Sequence, residues 1–346
     1  MNIRKIAELA GTSHMTVSRV LNGSDKVADK TREKILSIVQ EQGYEMNAGA
    51  RSLALGLHQI VGLLYPYHNS RTYESWYTMQ LLHRIRTELR ECNFDTMIAG
   101  YDISQGFSDI TRLIAQKKVD GIIISGYEIT EEIAQKISSI TPKYILVNPP
   151  AEPWTKKFNC LLVNHESGGE QAAQLFLEKN ITNICLISEN TKQFFARLTG
   201  FIKGFHTGAL SPSAEKSALS PSALSLEKDH FMLRDGSYEC AYQYAKNNQE
   251  RLLQYRGAFV GSDLSAIGII NGLADQGVRI PEDFAVVGFD DIDWAEYVRP
   301  ALTTIHQPKE TVAIETANLI VELINQPEQQ VIQKTFSPYP RIRSSL

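Results

Sequence analysis

The chain has 346 residues, 43% hydrophobic and 21% charged, which is long for one domain of ~100–200 residues. This composition excludes disorder, collagen-like repeats and a disulfide scaffold. The net charge of −4 conceals a division: residues 1–57 carry eight Lys/Arg against six acids (+2), and the remainder carries 27 against 33 (−6). A sign difference of this kind hints that the two parts have different partners.

No apolar run approaches the ~18 residues of a membrane span. Met1–Lys5 leads into polar and charged residues rather than a secretory apolar segment, so a cytoplasmic protein is expected, without membrane attachment. Cys92, Cys160, Cys185 and Cys240 are widely spaced and lack CxxC or Cys/His ligand spacing. They read as reduced core thiols, and neither a metal nor a cofactor is expected.

In chain order, residues 3–10 put Ile3, Ile6, Ala7 and Ala10 on one helical face. Gly11-Thr12-Ser13 breaks that helix, and Ser13 can cap the next by accepting from a free N–H. Residues 14–22 form a second helix with Val17, Val20 and Leu21 inward, and Gly23 stops it. A third amphipathic helix spans about 29–42, with Ile35, Ile38 and Val39 apolar. Two short helices around a Gly-containing turn, with a third in support, describe a helix-turn-helix unit. In such units, residues near the start of the second helix reach base edges in the major groove. Here these are His14, Met15 and Arg19. Arg19 suits a bidentate contact to guanine, with a phosphate as the rival partner. Met15 suits a thymine methyl, and His14 a base or a phosphate. Ser13, Thr16, Ser18 and Asn22 are short polar groups suited to phosphate oxygens.

From Ile60 onward, apolar strands alternate with amphipathic helices. Strands are expected at 60–64, 94–99, 121–125, 144–147, 184–188, 258–261 and 285–289. Helices are expected at 74–91, 106–117, 168–179, 196–206 and 264–276. That order predicts parallel sheets with helices on both faces, and about 290 residues suffice for two such lobes. Ligands in these folds bind at the carboxyl ends of strands, in the cleft between lobes. Residues 209–226 contain Ala-Leu-Ser-Pro-Ser-Ala twice and read as an exposed loop.

Ile3–Leu53 resembles the DNA-binding headpiece of the LacI/GalR family of bacterial transcription regulators. The likeness rests on Ile6–Ser13, Thr16-Val17-Ser18-Arg19-Val20-Leu21-Asn22, Lys30–Ile35, Gly43-Tyr44 and Asn47–Leu53. It continues through Gly261-Ser262-Asp263-Leu264-Ser265-Ala266-Ile267-Gly268, Ile280–Asp283, Val287-Gly288-Phe289-Asp290-Asp291 and Pro300–Pro308, so it covers nearly the whole chain. The resemblance implies an all-α headpiece (1–46), a hinge helix and linker (47–57), and an α/β core (58–346) of two parallel-sheet lobes resembling periplasmic sugar-binding proteins. Lobe one is expected at about 58–160 and 290–320, lobe two at about 161–289 and 321–346. The hinge is implied to order only on operator DNA, with Asn47, Ala50 and Leu53 contacting it and Leu53 entering the minor groove as a wedge. Packing against the core is the alternative for Leu53. Gly49 raises the cost of folding that helix by about 0.5–1 kcal/mol relative to Ala.

For the effector cleft, the resemblance implies that Asp263 accepts hydrogen bonds from ligand hydroxyls; an N-cap for the following helix is the other reading. Arg197 matches the family's cleft arginine, a fork of donors, against a surface position on its helix. Asn148 ends a strand and serves either a ligand or a turn. Phe195, Phe231, Trp76 and Trp294 are placed where cleft walls are expected, and Asp290 and Asp291 at the crossover between lobes. His165-Glu166 departs from the Asp-Asn of many members.

The resulting expectation is a homodimeric repressor. It binds double-stranded, pseudo-palindromic operator DNA and is released by a small effector, a mono- or disaccharide. A regulator dependent on a co-repressor or a phosphocarrier protein is the alternative. A sugar-binding transport protein would share the core but not the headpiece. An enzyme is not expected: GxGxxG after a strand, GxxxxGK[ST] and GxSxG are all missing.

Overall fold

Asn2 opens the first helix by accepting from Lys5 N at 3.0 Å, and Gly11, at φ +66°, closes it. The computed structural model describes residues 2–21, 24–44, 56–66, 75–101, 108–126, 128–209, 228–326 and 330–346. Its first three elements are α1 (Ile3–Ala10), α2 (His14–Leu21) and α3 (Asp29–Glu41). Ser13 Oγ accepts from Thr16 N at 3.1 Å, which is the cap expected for α2. Ile6, Ala7, Ala10, Val17, Val20 and Ile35 close a small core, with Leu21, Ile38 and Val39 packed on it. Asn22, Asn47, Gly49, Ala50 and Leu53 lie outside the described residues, as does nearly all of the 209–226 loop.

The core then runs β1 (Ile60–Pro66), α4 (Trp76–Glu91), β2 (Asp95–Tyr101), α5 (Ser108–Ala115), β3 (Gly121–Ser125), α6 (Glu131–Ile140), β4 (Tyr144–Val147) and β5 (Cys160–Val163). A 3₁₀ turn, Pro153–Lys157, precedes β5. Next come α7 (His165–Glu178), β6 (Ile184–Ser188), α8 (Lys192–Ala209), β7 (His230–Met232), α9 (Tyr238–Asn247), α10 (Gln249–Leu252), β8 (Gly257–Val260) and α11 (Asp263–Ala274). β9 (Ala285–Asp290), α12 (Trp294–Tyr297), β10 (Thr303–His306), α13 (Lys309–Asn325), β11 (Gln333–Phe336) and β12 (Tyr339–Arg341) complete it.

Two six-stranded sheets result, ordered β11-β5-β4-β3-β1-β2 and β12-β10-β9-β8-β6-β7. All neighbours are parallel except β10 and β12. β3, β4, β6, β8 and β9 are buried along their whole length, as expected of strands covered on both faces. The chain crosses between lobes after β5, after β10 and after β11, because α13 packs on α4, β3 and β4 of lobe one.

These crossings correct the expected lobe boundaries. Residues 290–306 belong with lobe two, since Thr303–His306 pair in register with Val287–Asp290. Residues 309–336 belong with lobe one, where Gln333–Phe336 extend the sheet beside β5. Inside lobe two, α7 and α8 meet backbone to backbone. A Cβ on Gly169 would lie 1.9 Å from Arg197 O, and one on Gly200 1.9 Å from Glu166 O. That contact sets Arg197 over His165. The four cysteines are free; burial pushes the Cys160 thiol up to about 12 and the Cys185 thiol higher still, so both act as small core groups.

Candidate DNA-reading helix and interlobe cleft

On α2, Val17 and Val20 are buried, which turns His14, Met15 and Arg19 outward. Met15 is 59% exposed. Met15 and Arg19, four residues apart, share one face. Arg19 has no side-chain partner among the described residues, so its guanidinium is available. The hydroxyls of Ser13 and Thr16 bond each other at 2.9 Å, and Ser18 is half-buried. The Ser13 and Thr16 hydroxyls already serve the helix start, and short hydroxyls of this kind suit phosphate oxygens rather than base edges.

Between the lobes lies a narrow cleft of about 30 Å³, room for little more than one water. Lobe one supplies Ser75, Tyr77 and Thr78 from the start of α4, Ser125 and Gly126 after β3, and Asn148 after β4. Lobe two supplies Glu189 after β6, Gln193, Phe194 and Arg197 from α8, Ser262 after β8 and Asp290 at the end of β9. Every strand-derived member sits at a carboxyl end, where the rule for parallel sheets puts it. Gly126 stands at φ +148°, and a Cβ there would be 2.7 Å from the Tyr101 hydroxyl.

Arg197 is the hub of the lobe-two wall. Its Nε donates to His165 Nδ1 at 3.3 Å, its Nη1 donates to Gly261 O, and Nη1 lies 3.1 Å from Asp290 Oδ1. The guanidinium also rests 4.0 Å over the Phe289 ring. Burial, and then the Arg197 charge, hold His165 well below its usual pKa, so it is a neutral acceptor. Gln307 Nε2 donates to Asp290 Oδ1 at 2.7 Å. Burial raises the Asp290 carboxyl against the pull of Arg197. Asp291, its neighbour, faces the other way, toward His306 (2.8 Å) and Arg343 (2.7 Å). Burial acts to raise it, but the hydrogen bonds from His306 and Arg343 and the Arg343 charge hold it down to about 2.

The lobe-one wall is less complete. Asn148, at φ +53° and only 5% exposed, donates from Nδ2 to the Tyr77 hydroxyl at 3.2 Å. Its Oδ1 has no partner among the described residues. Glu189 faces the same space, and burial raises its pKa against the pull of the nearby Gly236 backbone N–H and of Arg197. The lobes touch through Gln193 Nε2 and Asn148 O (3.5 Å), and through Lys192 and Glu152 (2.8 Å). Trp76 and Trp294 meet edge to face at 6.2 Å.

Of the five residues expected to bind effector, the fold brings Asn148 and Arg197 to the cleft. Asp263 does not line it. The carboxylate is fully buried at the first turn of α11, accepting from Ile292 N at 2.9 Å and from the Thr304 hydroxyl. Burial and the nearby Asp290 push it up to about 7. It ties the helix to the crossover, while Ser262 performs the capping, accepting from Ser265 N. Phe231 is core, 3% exposed, with the Tyr255 ring 5.7 Å away and the Arg251 guanidinium 4.3 Å over its face. Phe195 is half-buried against His230 and outside the cleft lining. Trp76 and Trp294 flank the cleft without lining it. Sequence reasoning missed Ser125, Glu189 and Ser262, which the strand-end rule would have found, and Gln193, which carried no signal of its own. No group of metal ligands occurs among the described residues.

Comparison with known proteins gives a consistent picture. Residues 2–47 match the family described as bacterial regulatory proteins, lacI family, and residues 173–346 match a periplasmic binding protein-like domain. The HTH-type transcriptional repressor PurR of Vibrio atlanticus is 28% identical over 98% of this chain and 96% of its own. Among solved structures, the lac repressor dimer bound to operator and the anti-inducer ONPF superposes with a TM-score of 0.76, at 19% identity over 100% of this chain and 98% of that one. The complex of the transcriptional regulator CelR with cellobiose gives 0.68, at 23% identity over 100% and 99%. No helix among the described residues is long and apolar enough to cross a membrane.

Proposed function

We propose that this chain, which belongs to the LacI family of bacterial transcription regulators, is a cytoplasmic repressor that holds a pseudo-palindromic operator as a homodimer and releases it when a small uncharged carbohydrate enters the interlobe cleft. The observation that carries the effector reading is the unpartnered Asn148 Oδ1. A buried acceptor without a donor costs about 1–3 kcal/mol, and a ligand hydroxyl removes that cost. Glu189 adds a second acceptor, whereas the charge of Arg197 is already met by Asp290. The cleft therefore asks for donors and offers an anion nothing, which favours a neutral polyol over a phosphorylated sugar. CelR with its cellobiose supports this class of ligand.

On the DNA side, His14, Met15 and Arg19 are the base-reading candidates, with Ser13, Thr16, Ser18 and Asn22 as phosphate contacts. Asn47, Ala50 and Leu53 of the 47–57 hinge are proposed as minor-groove contacts. The operator-bound lac repressor dimer supports this arrangement. A cleft of about 30 Å³ admits no pyranose, so the lobes must part for a sugar to enter. An effector that favours the parted arrangement lowers DNA affinity by as much as DNA lowers effector affinity.

Two measurements test this. Thermal denaturation across neutral sugars, phosphorylated sugars and purine bases should give a shift with a neutral sugar; ~2.7 kcal/mol is gained at a hundredfold excess over Kd. A shift with a phosphosugar or a purine alone would overturn the effector class. Selection of bound duplexes from a random library should return an inverted repeat whose affinity falls when the sugar is added. A lone half-site would remove the dimer, and tighter binding with sugar would make the ligand a co-repressor.

A further inference from the structure

Next to the narrow cleft lies a second, wider cavity of about 440 Å³. One loop separates them: Glu189 and Gln193 face the inner space, while Asn190, Thr191 and Lys192 face the outer one. Across from that loop, lobe one supplies Pro150, Trp154 and Thr130. Both cavities therefore straddle the two lobes and adjoin along the same few residues.

The outer cavity has the size of a small-molecule site, and the inner one does not. Its chemistry is divided as a sugar ring's is. Trp154 and Pro150 form an apolar surface, and the indole is held in place by the 3₁₀ turn Pro153–Lys157 and by edge-to-face packing on Phe158 at 5.9 Å. Asn190 is exposed on the opposite lobe and brings amide donors and an acceptor. The C–H face of a pyranose packs on an aromatic ring while its hydroxyls turn to polar groups. At the inner end, the unpartnered Asn148 Oδ1, 95% buried at this position, marks where the first ring is held.

We propose that the Trp154 cavity is a subsite for a second sugar ring, so that the effector is a disaccharide or longer glycoside with one ring at Asn148 and the next on Trp154. This rests on the carbohydrate reading of the inner cleft. A ligand of that length touches both lobes at two places and gains more from their rearrangement than a single ring does. The Lys192–Glu152 ion pair beside the outer cavity is solvent-exposed and a weak tie against opening.

The test is titration of the full-length protein with matched pairs: glucose with cellobiose, glucose with maltose, galactose with lactose, and xylose with xylobiose. Binding is followed by tryptophan fluorescence and by melting temperature. One disaccharide is expected to bind at least tenfold tighter than its component monosaccharide. Trp154→Ala should remove that advantage, Trp154→Phe should keep most of it, and Asn190→Ala should weaken the disaccharide alone by a few fold. A monosaccharide that binds as tightly as its disaccharide overturns the subsite and leaves the carbohydrate reading standing. Unchanged disaccharide affinity in Trp154→Ala does the same. If Trp154→Ala does not fold, unchanged affinities in both Trp154→Phe and Asn190→Ala overturn the subsite. No response to any of the sugars overturns the carbohydrate reading and the subsite with it.

Discussion

Arg19 on α2, the proposed reading helix, and Arg197 on the cleft wall are the same side chain in opposite settings. Arg19 stands exposed with no side-chain partner among the described residues, free to fork onto a base or a phosphate. Arg197 is 2% exposed and spends its donors on His165, Gly261 and Asp290, with aromatic rings against its faces. The contrast teaches that a guanidinium at a binding site need not be a ligand group. On α2, the polar capacity of the protein is left open for a partner. On lobe two, it is closed internally, and the open capacity moves across the cleft to Asn148 and Glu189.

The largest effect should come from breaking the closed side. Arg197→Ala would leave Asp290 buried and uncompensated and would take the guanidinium from between Phe194 and Phe289, at a cost of about 3–5 kcal/mol. Chemical denaturation should show this as a lowered midpoint. A variant that unfolds like the wild type and loses only effector binding would make Arg197 a ligand group after all.

Asp263 sharpens the same contrast, because its carboxylate is closed in but not charge-compensated. Its folded pKa, about 7, lies above its unfolded value, so the folded state holds the proton more tightly. The sign follows: its contribution is fully present below the unfolded pKa of ~4 and is lost as pH rises toward 7. Asp263→Asn, which mimics the protonated group, should flatten stability over this window. The amplitude should be on the order of 2 kcal/mol, short of the full linkage for one proton because Asp290 shares the site. Asp291 gives the opposite sign, with stability present above ~4 and lost as pH falls toward 2. If wild type and Asp263→Asn show the same slope from pH 4 to 7, Asp263 is ionised in the fold and its burial argument fails.

What was legible in the sequence divides along physical lines. The headpiece could be read because Ile6, Val17, Val20 and Ile35 keep helical spacing and Ser13 and Gly11 punctuate it. The buried strands of both lobes could be read from their apolar runs. The strands at 230–232, 303–306, 333–336 and 339–341 went unread, since three or four residues with polar groups among them form neither a period nor an apolar run; Cys160–Val163 was missed despite its apolar run, and Thr303-Thr304-Ile305-His306 was noticed only as part of a resemblance. The lobe boundaries failed for that reason. In the cleft, Asn148 stood out as a polar group at a strand end and Arg197 through the resemblance. Asp263 did too, but whether a carboxylate at a helix start faces a ligand or a crossover depends on Ile292 and Thr304, far away in sequence. The close approach of Gly169 and Gly200 is likewise a tertiary fact with no local pattern.

The mildest variant tests the open side. Arg19→Ala removes no described side-chain contact and leaves Val17 and Val20 in place, so the headpiece should melt as before. On DNA, it should cost about 1–3 kcal/mol and relax preference at one base pair, as loss of a bidentate guanine contact does. Arg19→Lys separates charge from geometry: an ammonium restores attraction to a phosphate but not the planar fork. Binding measured across a set of single-base operator variants decides between them. A loss confined to one position, not rescued by Lys, makes Arg19 a base reader. An equal loss on every sequence, largely rescued by Lys and shrinking as salt is raised, makes it a phosphate contact, and the reading of sequence then passes to His14 and Met15.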